Sequence, residues 1–293
     1  MVKTGSQHSE SQITQIEQRL PKDWRKHVRQ FSGSEENERT SPWYLDPAVA
    51  VQKREVHRRF IHACVQGLEV KRFLKTDLFE EANGPDQLLF DLFPPEVEAL
   101  GLDISFETVR RAWQRGGKNF LALAADLRHV PQRPGSMDLI ISTSTLDHLE
   151  NANEMSSALS ELAALLRPGG RLIITVDNLE NPLYRPMRWA SRRGWLPFEL
   201  GYTTSMQGLC RALESAGLEV TDRAWLLHNP RLLTTALCLG LRKVLGRRAD
   251  GPIRFMLNTF ALLNRLPLRR WTACFIAACA VRRTKPPRSS SRR

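Results

Sequence analysis

No apolar run in this chain approaches the roughly 18 residues that a membrane-spanning helix needs. The longest candidates, 232–241 and 273–281, fall well short. Residues 1–19 are polar and lack the apolar stretch of a secretory signal. Cysteine is scarce: Cys64, Cys210, Cys238, Cys274 and Cys279 are odd in number and include no Cys-x-x-Cys pair. Neither a disulfide framework nor a structural zinc site is favoured, and a reducing cytoplasm is the expected compartment. No segment repeats. Acid is nearly missing from one end. From residue 231 onward there are fifteen Lys and Arg and a single acid, Asp250, so that region carries +14 of a total of +12 and the rest sums to −2. A uniformly basic fold would suggest a nucleic-acid binder; a near-neutral body with a basic end assigns that end a surface role of its own.

Four zones follow from composition and periodicity. Residues 1–41 are rich in Gln, Ser, Glu, Lys and Arg and predict a disordered polar segment. In 42–67, Asp46-Pro47 makes a helix start, with Asp as N-cap and Pro at the first helical position. Val49, Val56, Phe60 and Cys64 then recur at helical spacing, so this helix is expected to lie against the main domain. Residues 68–230 alternate strands and helices. Strands are predicted at 70–76, 97–104, 120–125, 137–142, 171–176 and 219–227, and helices at 106–115, 154–166 and 205–216, with a short one at 85–93. The alternation argues for a doubly wound, mostly parallel α/β sheet with helices on both faces. Residues 231–293 read as a basic, helical C-terminal region with a frayed tail.

Ligands of such sheets bind beyond the carboxyl ends of the strands. Asp103, ending the second strand, can accept hydrogen bonds from both hydroxyls of a ribose, and can equally, with Ser105, cap the helix that follows. Asp126, after the third strand, can meet an adenine amino group with Leu127 against the ring, or simply hold a turn. Asp138 leads a buried strand as a structural acid. After the fourth strand come Ser142, Thr143, Asp147 and His148. His148 titrates near neutrality and can act as a general base with Asp147 orienting it, or can be a packed loop histidine.

Together these segments resemble something specific. Leu102-Asp103-Ile104-Ser105, Ala125-Asp126-Leu127, Met137-Asp138-Leu139-Ile140, Leu146-Asp147-His148-Leu149 and Leu166-Arg167-Pro168-Gly169-Gly170 resemble, in order and spacing, class I S-adenosylmethionine-dependent methyltransferases of the type 11-like group. The resemblance covers about 70–228. It implies a Rossmann-like seven-stranded sheet whose last strand is antiparallel, and S-adenosyl-L-methionine as cofactor. It places Asp103 and Ile104 at the ribose, Asp126 and Leu127 at the adenine, and Ser142 and Thr143 along the end of the fourth strand. The family's Asp-x-Gly-x-Gly loop is missing: the chain reads Thr76-Asp77-Leu78-Phe79-Glu80-Glu81-Ala82-Asn83-Gly84, with Leu78 and Phe79 where glycine is expected. Asp77, Glu80 and Glu81 become the candidates for the cofactor's ammonium. Acids here suit a zwitterionic ligand and repel a bare phosphate. The stretch 74–82, with the upstream Asp46-Pro47 helix, also resembles a bacterial methyltransferase-like group.

The expected activity is methyl transfer to a small-molecule or lipid-linked acceptor, with no metal. Two alternatives stand beside it: a non-catalytic binding or regulatory protein that lost the glycine loop, and an RNA methyltransferase. No Asn-Pro-Pro-Tyr motif follows the fourth strand, which lowers the standing of nucleic-acid bases. Asp177, Asn178 and Asn181 fall where an acceptor site would be lined. The following segment, with Trp189, Trp195 and Phe198, suits a lid or a packed helical excursion. The basic end, with Arg242, Lys243, Arg247 and Arg248, suits peripheral contact with the inner membrane surface, RNA contact, or ordinary packing with a solvated Arg face.

Overall fold

The computed structural model describes residues 45–84, 87–196, 198 and 200–283. The polar segment 1–41 and the tail 284–293 lie outside them. Helix α1 (Pro47–Val65) begins as its sequence predicts: Asp46 Oδ1 accepts from the Ala48 amide at 2.9 Å, and Pro47 takes the first helical position. The same carboxylate receives the Arg242 guanidinium, Nε to Oδ2 at 2.7 Å, tying this helix start to the basic end of the chain.

The strands are β1 (Arg72–Thr76), β2 (Glu98–Asp103), β3 (Phe120–Ala124), β4 (Met137–Thr143), β5 (Leu166–Asp177), β6 (Leu218–Leu226) and β7 (Phe275–Arg282). They form one seven-stranded sheet in the order β3-β2-β1-β4-β5-β7-β6. Neighbours from β3 through β5 pair parallel, while β7 runs antiparallel to both β5 and β6. Between the strands run α2 (Phe79–Asn83), α3 (Phe106–Arg115), α4 (Ala152–Leu165), α5 (Tyr184–Arg192), α6 (Met206–Ser215), α7 (Arg231–Leu245), α8 (Asp250–Ala261) and α9 (Arg269–Thr272). In the 85–93 region the described residues form a single 3-10 turn, Leu89–Asp91, and the helix lies earlier, at α2.

Alternate side chains of the strands feed two cores, as the period-2 pleat requires. Leu74, Ile140, Leu172 and Ile276 pack with α4 and α6, whereas Phe73, Ile141, Ile173 and Cys279 pack with α1 and α3. Central β4 is buried along its whole length. The irregular start of β5, where its register with β4 shifts, needs both its glycines. Gly169 has φ +79°, and a Cβ on Gly170 would stand 2.9 Å from the Arg167 carbonyl and 3.1 Å from those of Met137 and Asp138. Asp138 is the structural acid expected: it accepts from the Lys71 and Arg72 amides, each at 2.8 Å, and pairs with Arg167.

The C-terminal region is helical from α7 to α9 and then returns to the sheet. Ala277, Ala278, Cys279 and Ala280 of β7 are fully buried between β5 and β6. A short apolar run buried on both faces has no polar alternation, so its pattern does not separate strand from helix. The helical part of the basic region, α7 to α9, is therefore an insertion between β6 and the strand that completes the sheet.

Candidate functional site

The carboxyl ends of β1, β2, β4 and β5 converge on one cleft, and its lining is acidic. Asp77 follows β1 with φ +63°, a left-handed conformation that Asp tolerates because its own carboxylate closes a local turn. Here Oδ1 accepts from the Phe79 amide at 2.8 Å. Burial, then Glu80 and Asp103, push the Asp77 pKa up to about 7. Asp103 ends β2 and accepts from the Leu78 amide on Oδ2 at 2.9 Å and from the Ser105 amide on Oδ1 at 2.8 Å. Burial pushes its pKa up, against those amides. Asp103 is not the helix cap: Ser105 is, accepting from the Thr108 amide at 3.3 Å. Ile104 beside it is half-buried.

The missing glycine loop is replaced by a compact turn built from larger residues. Asp77 supplies the positive φ. Leu78 turns its side chain down into the core, fully buried, and Phe79 faces solvent. Below the turn lies a buried ion pair: Lys75 Nζ donates to Glu81 Oε2 at 2.8 Å and to the Asp77 carbonyl at 2.5 Å, and both side chains are fully buried. Burial works against the Lys75 charge, but Glu81, Glu80 and Asp77 outweigh it and raise its pKa. Glu81 Oε1 takes the Leu88 and Leu89 amides at 3.1 and 3.0 Å. Glu81, expected at the cofactor's ammonium, is instead spent on folding the loop: no part of its side chain reaches solvent. Glu80 bridges Lys75 to Lys53 of α1, at 3.5 and 2.8 Å.

Across the cleft, Thr76, Ser142 and Thr145 join the ends of β1 and β4 through their hydroxyls, at 2.9 Å for Thr76 to Ser142 and 2.7 Å for Thr76 to Thr145. Ser142 and Thr143 are both buried, so the Ser142 hydroxyl is engaged within the sheet. Ser144 takes a left-handed conformation, φ +53°, and its buried hydroxyl has no partner among the described residues. The 3-10 turn Leu146–His148 follows. Asp147 is buried. Its Oδ2 accepts from the Asp177 amide at 3.2 Å, and its Oδ1 has no partner among the described residues. Burial and the charge of Asp177 push its pKa up to about 6. His148 is exposed. Loss of hydration works against its charged form, but the carboxylates of Asp147, Asp77, Asp177 and Glu80 outweigh it and raise its pKa. Asp177 at the end of β5 pairs with Arg231, whose guanidinium lies 4.6 Å over the Phe275 ring.

Two further expected cofactor contacts follow β3, beside Asp103, and are engaged locally. Asp126 is held in a two-pronged pair by Arg128, with contacts of 2.6 to 3.0 Å, and Leu127 is buried in the larger core. Asn178 and Asn181 spend their amide groups on backbone, both donating to the Ala273 carbonyl at 3.0 Å and so fixing the entry to β7. They also border a small pocket with Leu183, Tyr184, Met187 and Cys274. The aromatic excursion is a helix: α5, whose Tyr184 donates to the Gly201 carbonyl at 3.1 Å. Gly201 lies against the turn that carries Asp147, where a Cβ would stand 2.2 Å from the Asp147 carbonyl. Trp189 and Trp195 are exposed, with Arg193 stacked 3.9 Å from the Trp189 ring centre.

Sequence reasoning did not single out Lys75, Thr76, Ser144, Thr145 or Arg231. A lysine inside a predicted buried strand, and a Thr-Ser-Thr run after another, were the available signals. Away from the strand ends, Cys64, Cys279 and the exposed Asp222 bring their ligand atoms within 4.8 Å of one another.

S-adenosyl-L-methionine fits part of this lining. Asp103 keeps a free lone pair on each oxygen, and Ser144 Oγ and Asp147 Oδ1 are buried polar atoms awaiting partners. The surplus of carboxylates suits a cationic ligand. The first loop is less open, because the Leu78 and Phe79 amides are already taken by Asp103 and Asp77.

Residues 83–174 match the family described as a methyltransferase domain. The chain is 44% identical over 63 residues, 22% of its length, to mouse (Mus musculus) tRNA (carboxymethyluridine(34)-5-O)-methyltransferase ALKBH8, covering 10% of that protein. It is 33% identical over 82 residues, 28% of its length, to the Arabidopsis thaliana tRNA (carboxymethyluridine(34)-5-O)-methyltransferase, covering 20% of it. These matches therefore span a fifth or less of the relatives' own length. Among solved structures, the N-methyltransferase NodS from Bradyrhizobium japonicum WM9 in complex with S-adenosyl-L-homocysteine aligns over 89% of this chain and 98% of its own, with TM-score 0.52 at 16% identity. That likeness carries the fold alone. The ordered motifs and the 3-2-1-4-5-7-6 sheet agree with the methyltransferase-domain match over residues 83–174, and the fold is that of class I S-adenosylmethionine-dependent methyltransferases.

Proposed function

We propose that this chain transfers a methyl group from S-adenosyl-L-methionine to a small-molecule or lipid-linked acceptor. The observation that carries the reading is the acidic cleft, Asp77, Asp103, Asp147 and Asp177, at the carboxyl ends of four strands of the methyltransferase fold. Asp103 and Ile104 hold the ribose, and Asp77 faces the ammonium. When bound, the cofactor supplies a methyl group already activated on a sulfonium. The protein's own task is to align the acceptor, exclude water and take up a proton. Tyr184 and Gly201 fix the α5 excursion over the turn that carries Asp147 and His148, which closes the cleft on the acceptor side.

His148 is the base; Asp147, expected to orient it, makes no hydrogen bond to it and acts through its neighbouring charge. Because surrounding carboxylates raise the His148 pKa above the ordinary histidine value of 6.5, its neutral form is scarce at low pH. Turnover should rise with pH through a midpoint above 6.5 and then level. His148→Ala should remove that dependence and lower kcat about 10²-fold or more, with cofactor affinity kept. Equal losses in kcat and in cofactor affinity would overturn the catalytic role.

The second reading is an RNA acceptor. It is supported by relatives named as tRNA methyltransferases, and by the exposed Trp189–Arg193–Trp195 stack, whose rings lie 5.0 Å apart edge to face. Arginine and aromatic faces of this kind can stack on unpaired bases. Methyl transfer from labelled S-adenosylmethionine to total tRNA, compared with lipid and small-molecule extracts, separates the two. RNA labelling that falls steeply with salt would favour RNA. Labelling confined to the organic extract would favour the first reading.

A further inference from the structure

The insertion between β6 and β7 shows solvent what a folded chain normally hides. Of the nineteen large apolar side chains exposed among the described residues, eleven lie in 231–272, so the exposure is concentrated rather than scattered. Helix α7 holds Thr234 and Cys238 inward. At 100° per residue, positions 232, 233, 236, 237, 239, 240, 243 and 244 sweep the opposite arc of about 160°. That arc is Leu, Leu, Ala, Leu, Leu, Gly, Lys and Val, and all of it is exposed. A helix apolar on every side is ordinarily buried on every side. Phe255 of α8, 76% exposed, and Trp271 of α9, 51% exposed, continue the pattern.

Charge identifies the occupant. Residues 231–272 hold nine Lys and Arg and one acid, Asp250, which Arg242 already engages at 2.6 Å. Lys243, Arg247, Arg248, Arg254 and Arg265 are exposed and make no ion pair with a described residue. Interleaved apolar groups and free cations match an anionic lipid surface, where the apolar arc enters the headgroup boundary and the cations meet phosphates. A second copy of the same surface would set cation against cation. No helix among the described residues is long and apolar enough to cross a membrane, so the geometry is one of lying on the bilayer.

We propose that the β6–β7 insertion docks the protein on anionic bilayers through the outer arc of α7, with Phe255 and the free cations around it. The first residue of α7, Arg231, pairs with Asp177 at the cleft. Docking therefore sets the cleft close to the lipid surface. The inference goes beyond methyl transfer and does not require it.

The test is co-sedimentation of the full chain with vesicles of phosphatidylglycerol and phosphatidylcholine, against vesicles of phosphatidylcholine alone. The expected result is binding to the anionic vesicles, reduced at least tenfold on the neutral ones. Val244→Asp with Phe255→Asp should lower the anionic partition coefficient tenfold or more. Arg247→Glu with Arg248→Glu should remove most of the preference for anionic lipid. All four positions are exposed, and unchanged melting temperatures would show that the variants fold. Absence from both vesicle pellets would overturn the proposal. So would equal partition of wild type and variants. Self-association abolished by Val244→Asp, or salt-sensitive RNA binding abolished by the Arg247 and Arg248 changes, either one without vesicle binding, would overturn it in favour of a second copy or of RNA.

Discussion

Gly101 on β2 makes room for Leu78: a Cβ at position 101 would stand 2.6 Å from Leu78 Cδ2 and 2.9 Å from Phe120 Cε2. The glycine missing from the first loop thus has a counterpart one strand away. With Leu78 seated below, its amide points at Asp103 and holds that carboxylate at the cleft edge. Gly101→Ala should overpack this contact and cost about 1–3 kcal/mol of stability in chemical denaturation. It should also weaken S-adenosylmethionine binding, because displacing Leu78 releases Asp103. Full stability with full affinity would show that the core yields at no cost.

The Lys75–Glu81 pair is fully buried, so its two halves should behave unequally when separated. Lys75→Met leaves a carboxylate buried without a counter-ion and should cost about 3–5 kcal/mol. Lys75→Met with Glu81→Gln should recover most of that loss, since glutamine still accepts from the Leu88 and Leu89 amides. Denaturation of the single and double variants reads both values. A double variant no more stable than the single one would contradict the pairing.

Asp77 titrates near pH 7 before any ligand arrives. A cationic group placed beside it stabilises the carboxylate and lowers that pKa. Binding of S-adenosylmethionine should therefore release protons at pH 6.5, and affinity should rise with pH through about 7 and then level. Calorimetric titration in two buffers of different ionisation enthalpy measures the release. The buffer difference should shrink at pH 8.5 and should be smaller in Asp77→Asn. Equal heats in both buffers at pH 6.5 would place the ammonium elsewhere.

The strands and main helices were legible because each carries a local signal. Asp46-Pro47 starts α1, Ser105 starts α3 and Pro168-Gly169-Gly170 marks the start of β5. Strand β7 was not legible: small apolar residues buried on both faces carry no alternation, and the Arg-rich helices before it set the expectation of more helix. At the site, Asp77, Asp103, Asp147 and His148 share one cleft because strand ends converge there, and order along the chain predicts that convergence. The roles of Glu81 and Asp126 were hidden. Whether an acid faces a cleft or a neighbouring cation depends on Lys75 and Arg128, whose partners follow from rotamer and burial rather than spacing. The compact turn at Asp77 was equally hidden, since it needs space that Gly101 supplies from another strand.

The most direct measurement is calorimetric titration of the protein with S-adenosylmethionine and S-adenosylhomocysteine, repeated on Asp103→Asn. Binding of both ligands is expected in the micromolar range, weakened in the variant by about 1.5–3 kcal/mol, the worth of a hydrogen bond to a charged group. Folded wild-type protein that binds neither ligand, or a variant that binds as tightly as wild type, would contradict the account of this cleft as a cofactor site.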